Sequence, residues 1–160
     1  MASWRDIEDE APELAARARA FLDGRKHKTI ATLRKDGSPR ISGTEANVVD
    51  GELMWGSMWK AMKALDLRRD PRFALHSGSE DPPDWSGDVK VSGRAEELDD
   101  DEGKAALVKA QGNEGGGSLG QWHLFRADIE EVVVARLNDA RDKMVIELWR
   151  PGQGVKTTER

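Results

Sequence analysis

The sequence predicts a mainly β fold with helices on its flanks, an antiparallel sheet curled into a small barrel. Three observations carry this. Short β-branched or alternating runs recur along the chain. The dipeptides Asp36-Gly37 and Asp50-Gly51 are tight-turn signals joining the first runs. Strand also follows strand across short turns, which favours antiparallel pairing and closure into a barrel. The spacing predicts roughly seven short strands and two or three helices, as one domain over residues 1–160.

Taken in order, Ser3 and Asp6 form a weak capping box, and Leu14, Ala18, Phe21 and Leu22 recur at helical spacing up to Gly24, a natural C′ residue. Residues 1–24 are therefore an N-terminal helical segment, with Glu13, Arg17 and Arg19 on its exposed face. Thr29 to Leu33 is a strand, a second runs from Arg40 to Val49, and a third covers Leu53 to Trp55. Met58 to Arg69 reads as a helix that Pro71 stops. Phe73 to His76 is a short buried strand, and residues 77–87 are a polar loop holding Trp85. Val89, Val91, Gly93 and Ala95 alternate with Lys90, Ser92, Arg94 and Glu96, the period of a half-buried strand. Asp99 to Glu102 suit the positive end of a helix reaching Ala110. Residues 111–120 are Gly-rich and expected to be mobile. Strands follow at Trp122 to Ile129, continuing into Val132 to Val134, and at Lys143 to Trp149. The segment 152–160 reads as a frayed polar tail.

Composition bounds the function. The net charge of −5 argues against a nucleic-acid partner, and the absence of cysteine excludes disulfides and thiolate metal sites. No apolar run is long enough for a bilayer and the acidic start is not a signal peptide, so a cytoplasmic protein is expected. His27, His76 and His123 lack metal-ligand spacing, so no metal site is expected and all three read as structural or surface residues. No nucleophile elbow, Walker loop or dinucleotide fingerprint occurs, and no catalytic acid, base or nucleophile stands out. Six tryptophans and no tyrosine hint at pocket or interface use, although each one alone is more simply a core residue.

One constellation points to a ligand. Arg40, Ser42 and Thr44 share a strand face at i, i+2, i+4, where a cation and two hydroxyls could receive a phosphate. Lys60 and Lys63 stand at the expected helix start, where free amides and the dipole favour anions, and Gly56-Ser57 lets a ligand approach the backbone. Each feature alone is more plainly an ordinary polar surface. Their proximity along the chain turns the balance. Asp66 and Asp70 are read as partners of nearby arginines, and Glu45 as the partner of a neighbouring cation.

Ala31-Thr32-Leu33, Asp36 to Ser42, Asp50-Gly51-Glu52-Leu53, Lys63 and Asp66-Leu67-Arg68-Arg69-Asp70-Pro71-Arg72 resemble the pyridoxamine 5′-phosphate oxidase-like split-barrel flavoproteins over roughly residues 20–152. With Trp149-Arg150-Pro151-Gly152, the chain looks most similar to actinobacterial members. The resemblance implies a six-stranded antiparallel split β-barrel and a homodimer. It implies FMN, or the deazaflavin coenzyme F-420, in a cleft between subunits, and hydride transfer to or from a small-molecule substrate. It places Arg40, Ser42 and Lys63 on the cofactor phosphate and Trp55, Gly56, Ser57 and Met58 along the ring system. Two departures matter. Ala61 and Met62 replace a Ser-Arg pair, with Lys60 as a possible substitute. The C-terminal Arg and His that grip the vitamin substrate of the authentic oxidase are absent from Val155 to Arg160, so pyridoxamine phosphate is not the expected substrate. A non-catalytic flavin or haem carrier, or a stress-related protein, is the alternative.

Overall fold

The computed structural model describes residues 1–113 and 120–160. The elements are α1 (Trp4–Glu10), α2 (Pro12–Asp23), β1 (Lys28–Leu33), β2 (Pro39–Thr44), β3 (Ala46–Val49), β4 (Glu52–Met58), α3 (Met62–Arg69), β5 (Arg72–His76), β6 (Gly87–Leu98), α4 (Asp101–Ala110), β7 (Trp122–Leu137), β8 (Met144–Arg150) and β9 (Gly154–Glu159). The sheet is antiparallel throughout, in the order β2-β1-β5-β6-β7-β4-β3, with β8 on β7 and β9 on β8.

The order closes on itself. β2 and β3 are one run of chain interrupted only at Glu45; β2 pairs with β1 at one end of the path and β3 with β4 at the other. Counting β2–β3 as one bent strand, six strands make a barrel, and the interruption at Glu45 is its split. The β8–β9 hairpin is an addition to that barrel.

The turns follow the backbone rules. Asp50 (φ 51°) and Gly51 (φ 82°) are both left-handed, as a two-residue hairpin matched to strand twist requires. The barrel interior is apolar: Ile30, Leu53, Trp55, Phe73, Leu75, Val89, Val91, Phe125 and Ile129 are buried together with Leu14, Ala18 and Leu22 of α2. Burying aliphatic and aromatic side chains at about 1.5–3 kcal/mol each is the main stabilising term. Where the register of β6 against β7 slips between Ser92 and Gly93, a Cβ on Gly93 would sit 2.0 Å from the Asp128 carbonyl oxygen, so only glycine fits.

Several expectations need correction. The N-terminal segment is two helices, broken at Ala11 before Pro12, and the Ser3–Asp6 capping box is formed on α1. Gly24 ends α2 right-handed (φ −65°). Arg17 does not simply point to water; it pairs with buried Glu147, which Arg136 also reaches at 3.3 Å. The helix expected from Met58 begins only at Met62, because β4 runs on through Met58 and Lys60 turns left-handed (φ 57°). The tail is not frayed: β9 pairs with β8 along its length, from Val145↔Glu159 to Arg150↔Gly154. Of the expected mobile stretch 111–120, residues 114–119 lie outside the described residues. Among the described residues no helix is long and apolar enough to cross a membrane.

Candidate cofactor site

The nine expected site residues fall on β2, β4, the turn into α3 and the first turn of α3. Arg40, Ser42 and Thr44 do share one face of β2. They lie opposite Thr32, Ile30 and Lys28 of β1, and with Ile30 and Thr32 buried this is the inward face. α3 closes the barrel end over it. The carboxylate that holds it there is Asp66, whose side chain is 2% exposed. Asp66 accepts from Arg40 Nε (2.6 Å), Thr32 Oγ1 (2.8 Å) and Arg69 Nη2 (3.1 Å). Burial pushes the Asp66 carboxyl up, but these hydrogen bonds outweigh it and keep the group below its ordinary range. Arg40 therefore spends its Nε on Asp66, leaving its outer nitrogens for other work. The expected ion pairs of Asp66 and of Asp70, with Arg72 at 2.6 Å, are both present.

Lys63 enters from the first turn of α3 and donates Nζ to the Gly43 carbonyl at 2.7 Å, bridging helix and β2. Burial lowers its pKa, and no carboxylate in the described residues pairs with it. The start of α3 has no side-chain cap, so the Met62 and Lys63 amides find no acceptor among the described residues. Two hydroxyls nearby in the fold are buried and unpartnered, Thr44 Oγ1 and Ser57 Oγ.

β4 alternates. Trp55 and Ser57 point inward and are buried, while Met58 is 77% exposed. The Trp55 ring belongs to the core, 4.9 Å from Phe73 and 5.9 Å from Phe125 between centroids, so Trp55 offers a ligand only its backbone. Gly56 lies against Trp122, whose ring would be 3.0 Å from a Cβ there. The two-residue turn makes Val49↔Glu52 a hydrogen-bonded pair, so ladder alternation turns the Gly56 amide and carbonyl toward the β3 side. β3 has ended by then, at Ala46 opposite Trp55, and these groups face the split.

Lys60 contributes differently from expectation. Outside α3, its side chain is exposed, and its backbone N–H donates to His123 Nε2 at 3.0 Å. His123 is buried and sets its Nδ1 2.5 Å from Glu97 Oε1. Because Nε2 accepts, Nδ1 carries the proton and donates to Glu97. Arg68 holds Glu97 through two bonds, 2.6 and 2.9 Å; Arg68 and then His123 keep that carboxyl down at about 2 despite partial burial. Trp59 stacks on His123 at 4.7 Å, under the Arg68 guanidinium at 5.6 Å. Sequence reading missed this chain of contacts, since a lone histidine in a strand carries no spacing signal. Glu45 stands 3.8 Å from the His27 ring, and among the described residues no lysine or arginine pairs with it as expected. No group of three or more metal-ligating side chains occurs among the described residues.

The strands form a six-stranded split barrel, with the uncapped start of α3 beside the place where β2 bends away from β4. The chain belongs to the pyridoxamine 5′-phosphate oxidase family, whose model matches residues 14–136. Solved structures agree on the fold. A conserved hypothetical protein from Mycobacterium tuberculosis aligns at TM-score 0.63 and 23% identity, over 73% of this chain and 81% of its own. A heme binding protein from Mycobacterium smegmatis aligns at 0.63 and 20%, over 92% of this chain and 58% of its own. A putative pyridoxamine 5′-phosphate oxidase from Listeria innocua aligns at 0.62 and 17%, over 76% and 98%. At these identities the likeness is one of fold. Among curated proteins none matches this chain.

Proposed function

We propose that the chain is a flavin-dependent oxidoreductase that binds FMN, with the deazaflavin F-420 as the alternative, at the split between β2, β4 and α3. The carrying observation is a set of donors with capacity to spare: the two uncapped α3 amides, the Lys63 ammonium, which gives only one of its three protons to the Gly43 carbonyl, and the buried hydroxyls of Thr44 and Ser57. Helix-start amides with a lysine suit a phosphate group, which both cofactors carry, FMN as a monoester and F-420 as a diester. Lys63, Ser42 and the outer nitrogens of Arg40 hold the phosphate on this reading, with Asp66 fixing the Arg40 plane. The backbone of Gly56 and the Met58 side chain border the ring, and Lys60 adds charge where Ala61 and Met62 offer none. Bound flavin would supply hydride acceptance and donation; the protein's part is to bind, orient and exclude water. The substrate is a small molecule, and the missing C-terminal Arg and His weigh against pyridoxamine phosphate.

A homodimer completes this reading. On this reading the ring side of the site lies open at the split, and a second subunit would supply its other wall. Ile41, Met58, Trp59, Met62 and Leu65 are large apolar side chains exposed on β2, at the end of β4 and on α3. Exposed apolar side chains on these elements are available to an interface. The actinobacterial character of the chain belongs to the same reading, and structural likeness to mycobacterial proteins accords with it.

A second reading is a haem carrier. Structures described as a heme binding protein and as the heme storage protein HutZ from Vibrio cholerae share the fold, at 20% and 22% identity. A third neighbour, PhzG from Burkholderia lata, was solved with tetrahydrophenazine-1-carboxylic acid. Titration of the purified protein with FMN, F-420 and haemin separates the readings. Quenching of flavin fluorescence with a micromolar or tighter Kd supports the first. A Soret shift without flavin binding supports the second and contradicts the first.

A further inference from the structure

α2, the start of β1, β3 and the end of α4 line a surface cavity of 410 Å³. Its lining carries four cations, Arg19, Arg25, Lys26 and Lys28, against one carboxylate, Asp23. In a chain of net charge −5 this is a local reversal of sign. The two arginines are already engaged: Arg19 with Asp23 at 2.7 Å, Arg25 with Glu80 at 3.0 Å and with the Ser79 carbonyl. The lysines are not. Among the described residues neither has a carboxylate within ion-pair distance.

Lys28 is the unusual one. It is 4% exposed, yet its ammonium makes a single long hydrogen bond, 3.3 Å to the Lys26 carbonyl. Burial lowers its pKa, and Asp23 and Glu45 only partly oppose this. Its cross-strand neighbour on the same face is Thr44, whose buried hydroxyl has no partner. The half-buried Asn47 amide, also lining the cavity, has no hydrogen-bond partner among the described residues. A buried ammonium short of acceptors destabilises the empty protein, and a bound anion would offset that cost.

We propose that this cavity is a second ligand site, taking a small phosphate-bearing anion on Lys28, with Lys26 and Asn47 closing over it. Phosphate is favoured because the cations left free are lysines, point charges that suit a multiply charged phosphate, while the guanidinium groups are occupied. A volume of 410 Å³ is near the lower end of ligand cavities, which suits a small metabolite. The site does not rest on the flavin reading, although Thr44, which that reading also uses, stands opposite Lys28. Lys28 lies four residues along β1 from Thr32 and the Asp66 cluster, about 13 Å of strand.

The test is titration with pyrophosphate at constant ionic strength in NaCl, followed by calorimetry and thermal shift, with citrate as the carboxylate arm. The expected result is saturable pyrophosphate binding that raises Tm and exceeds the response to citrate. Lys28→Met should weaken it at least tenfold and raise the Tm of the unliganded protein, because a buried charge is removed. Lys63→Ala should leave at least one pyrophosphate site intact, and Lys28→Met should leave FMN affinity unchanged. Lys26→Ala and Asn47→Ala, milder changes at the rim, should each weaken pyrophosphate binding. The proposal is overturned by a response equal to that of NaCl alone, by unchanged pyrophosphate affinity in Lys28→Met and Asn47→Ala, or by a stronger citrate response. A fall in Tm for unliganded Lys28→Met also overturns it, since Lys28 would then be structural.

Discussion

The buried imidazole of His123 accepts the backbone N–H of Lys60 at 3.0 Å, tying β7 to the left-handed turn between β4 and α3. The proton on its other nitrogen goes to Glu97. The start of α3, and with it the place of Lys63, therefore depends on a strand about sixty residues later in the chain.

His123→Ala should cost about 2–4 kcal/mol, since it opens a cavity and strands both the Lys60 amide and Glu97. Urea denaturation measures this. A loss below 0.5 kcal/mol, by the same measure, would show that the turn holds itself. FMN affinity should fall in the same variant although His123 touches no expected ligand atom.

Acid should release the same network. Arg68 and His123 hold the Glu97 pKa at about 2 in the folded chain, against an ordinary 4.5. A depressed carboxylate stabilises the fold fully above the unfolded value and loses that contribution as pH falls through the folded one. Stability should thus decline between pH 4.5 and about 2, on top of the general acid effect. Glu97→Gln should be less stable than wild type at pH 7 and converge with it near pH 2. Parallel curves would rule out this role.

Asp66→Ala leaves Arg40 and Arg69 without their shared buried partner and unties α3 from β1 and β2. Breaking one side of a buried pair costs about 3–5 kcal/mol. Thermal unfolding of this variant should show that loss, and a change of a degree or two would mean that α3 is held by its apolar face alone.

Gly93→Ala should be among the most damaging single substitutions in the chain, because its Cβ would collide with backbone, which cannot yield as a side chain can. Soluble expression and Tm report it. By contrast Gly37→Ala meets no atom within 4 Å and should cost only the strain of its positive φ, about 1 kcal/mol.

Much of the barrel was legible because its punctuation is local. Asp36-Gly37 and Asp50-Gly51 mark hairpins by backbone conformation alone, and the alternation from Val89 to Ala95 fixes a strand face. The missed elements lack such signals. β9 is exposed on both faces, so it shows no alternation, and its pairing comes from β8. Met58 to Ala61 contains no helix breaker; the β4 ladder and His123 decide that the chain stays extended and then turns. At the site, spacing correctly put Arg40, Ser42 and Thr44 on one face but could not say that the face is inward, nor that Asp66 would claim Arg40. Lys28 opens a β-branched run, and its burial follows from its place on the inward face of β1, which the sequence does not reveal.

The central claim is that Lys63 and Arg40 converge on the phosphate of one flavin at the split. FMN titration of wild type and of the Arg40→Ala, Lys63→Ala double variant tests it most directly, with circular dichroism confirming that the variant is folded. The account predicts tight binding by wild type and a loss of about 2–4 kcal/mol in the variant, the worth of charge-assisted hydrogen bonds. An unchanged Kd in a folded variant would contradict it.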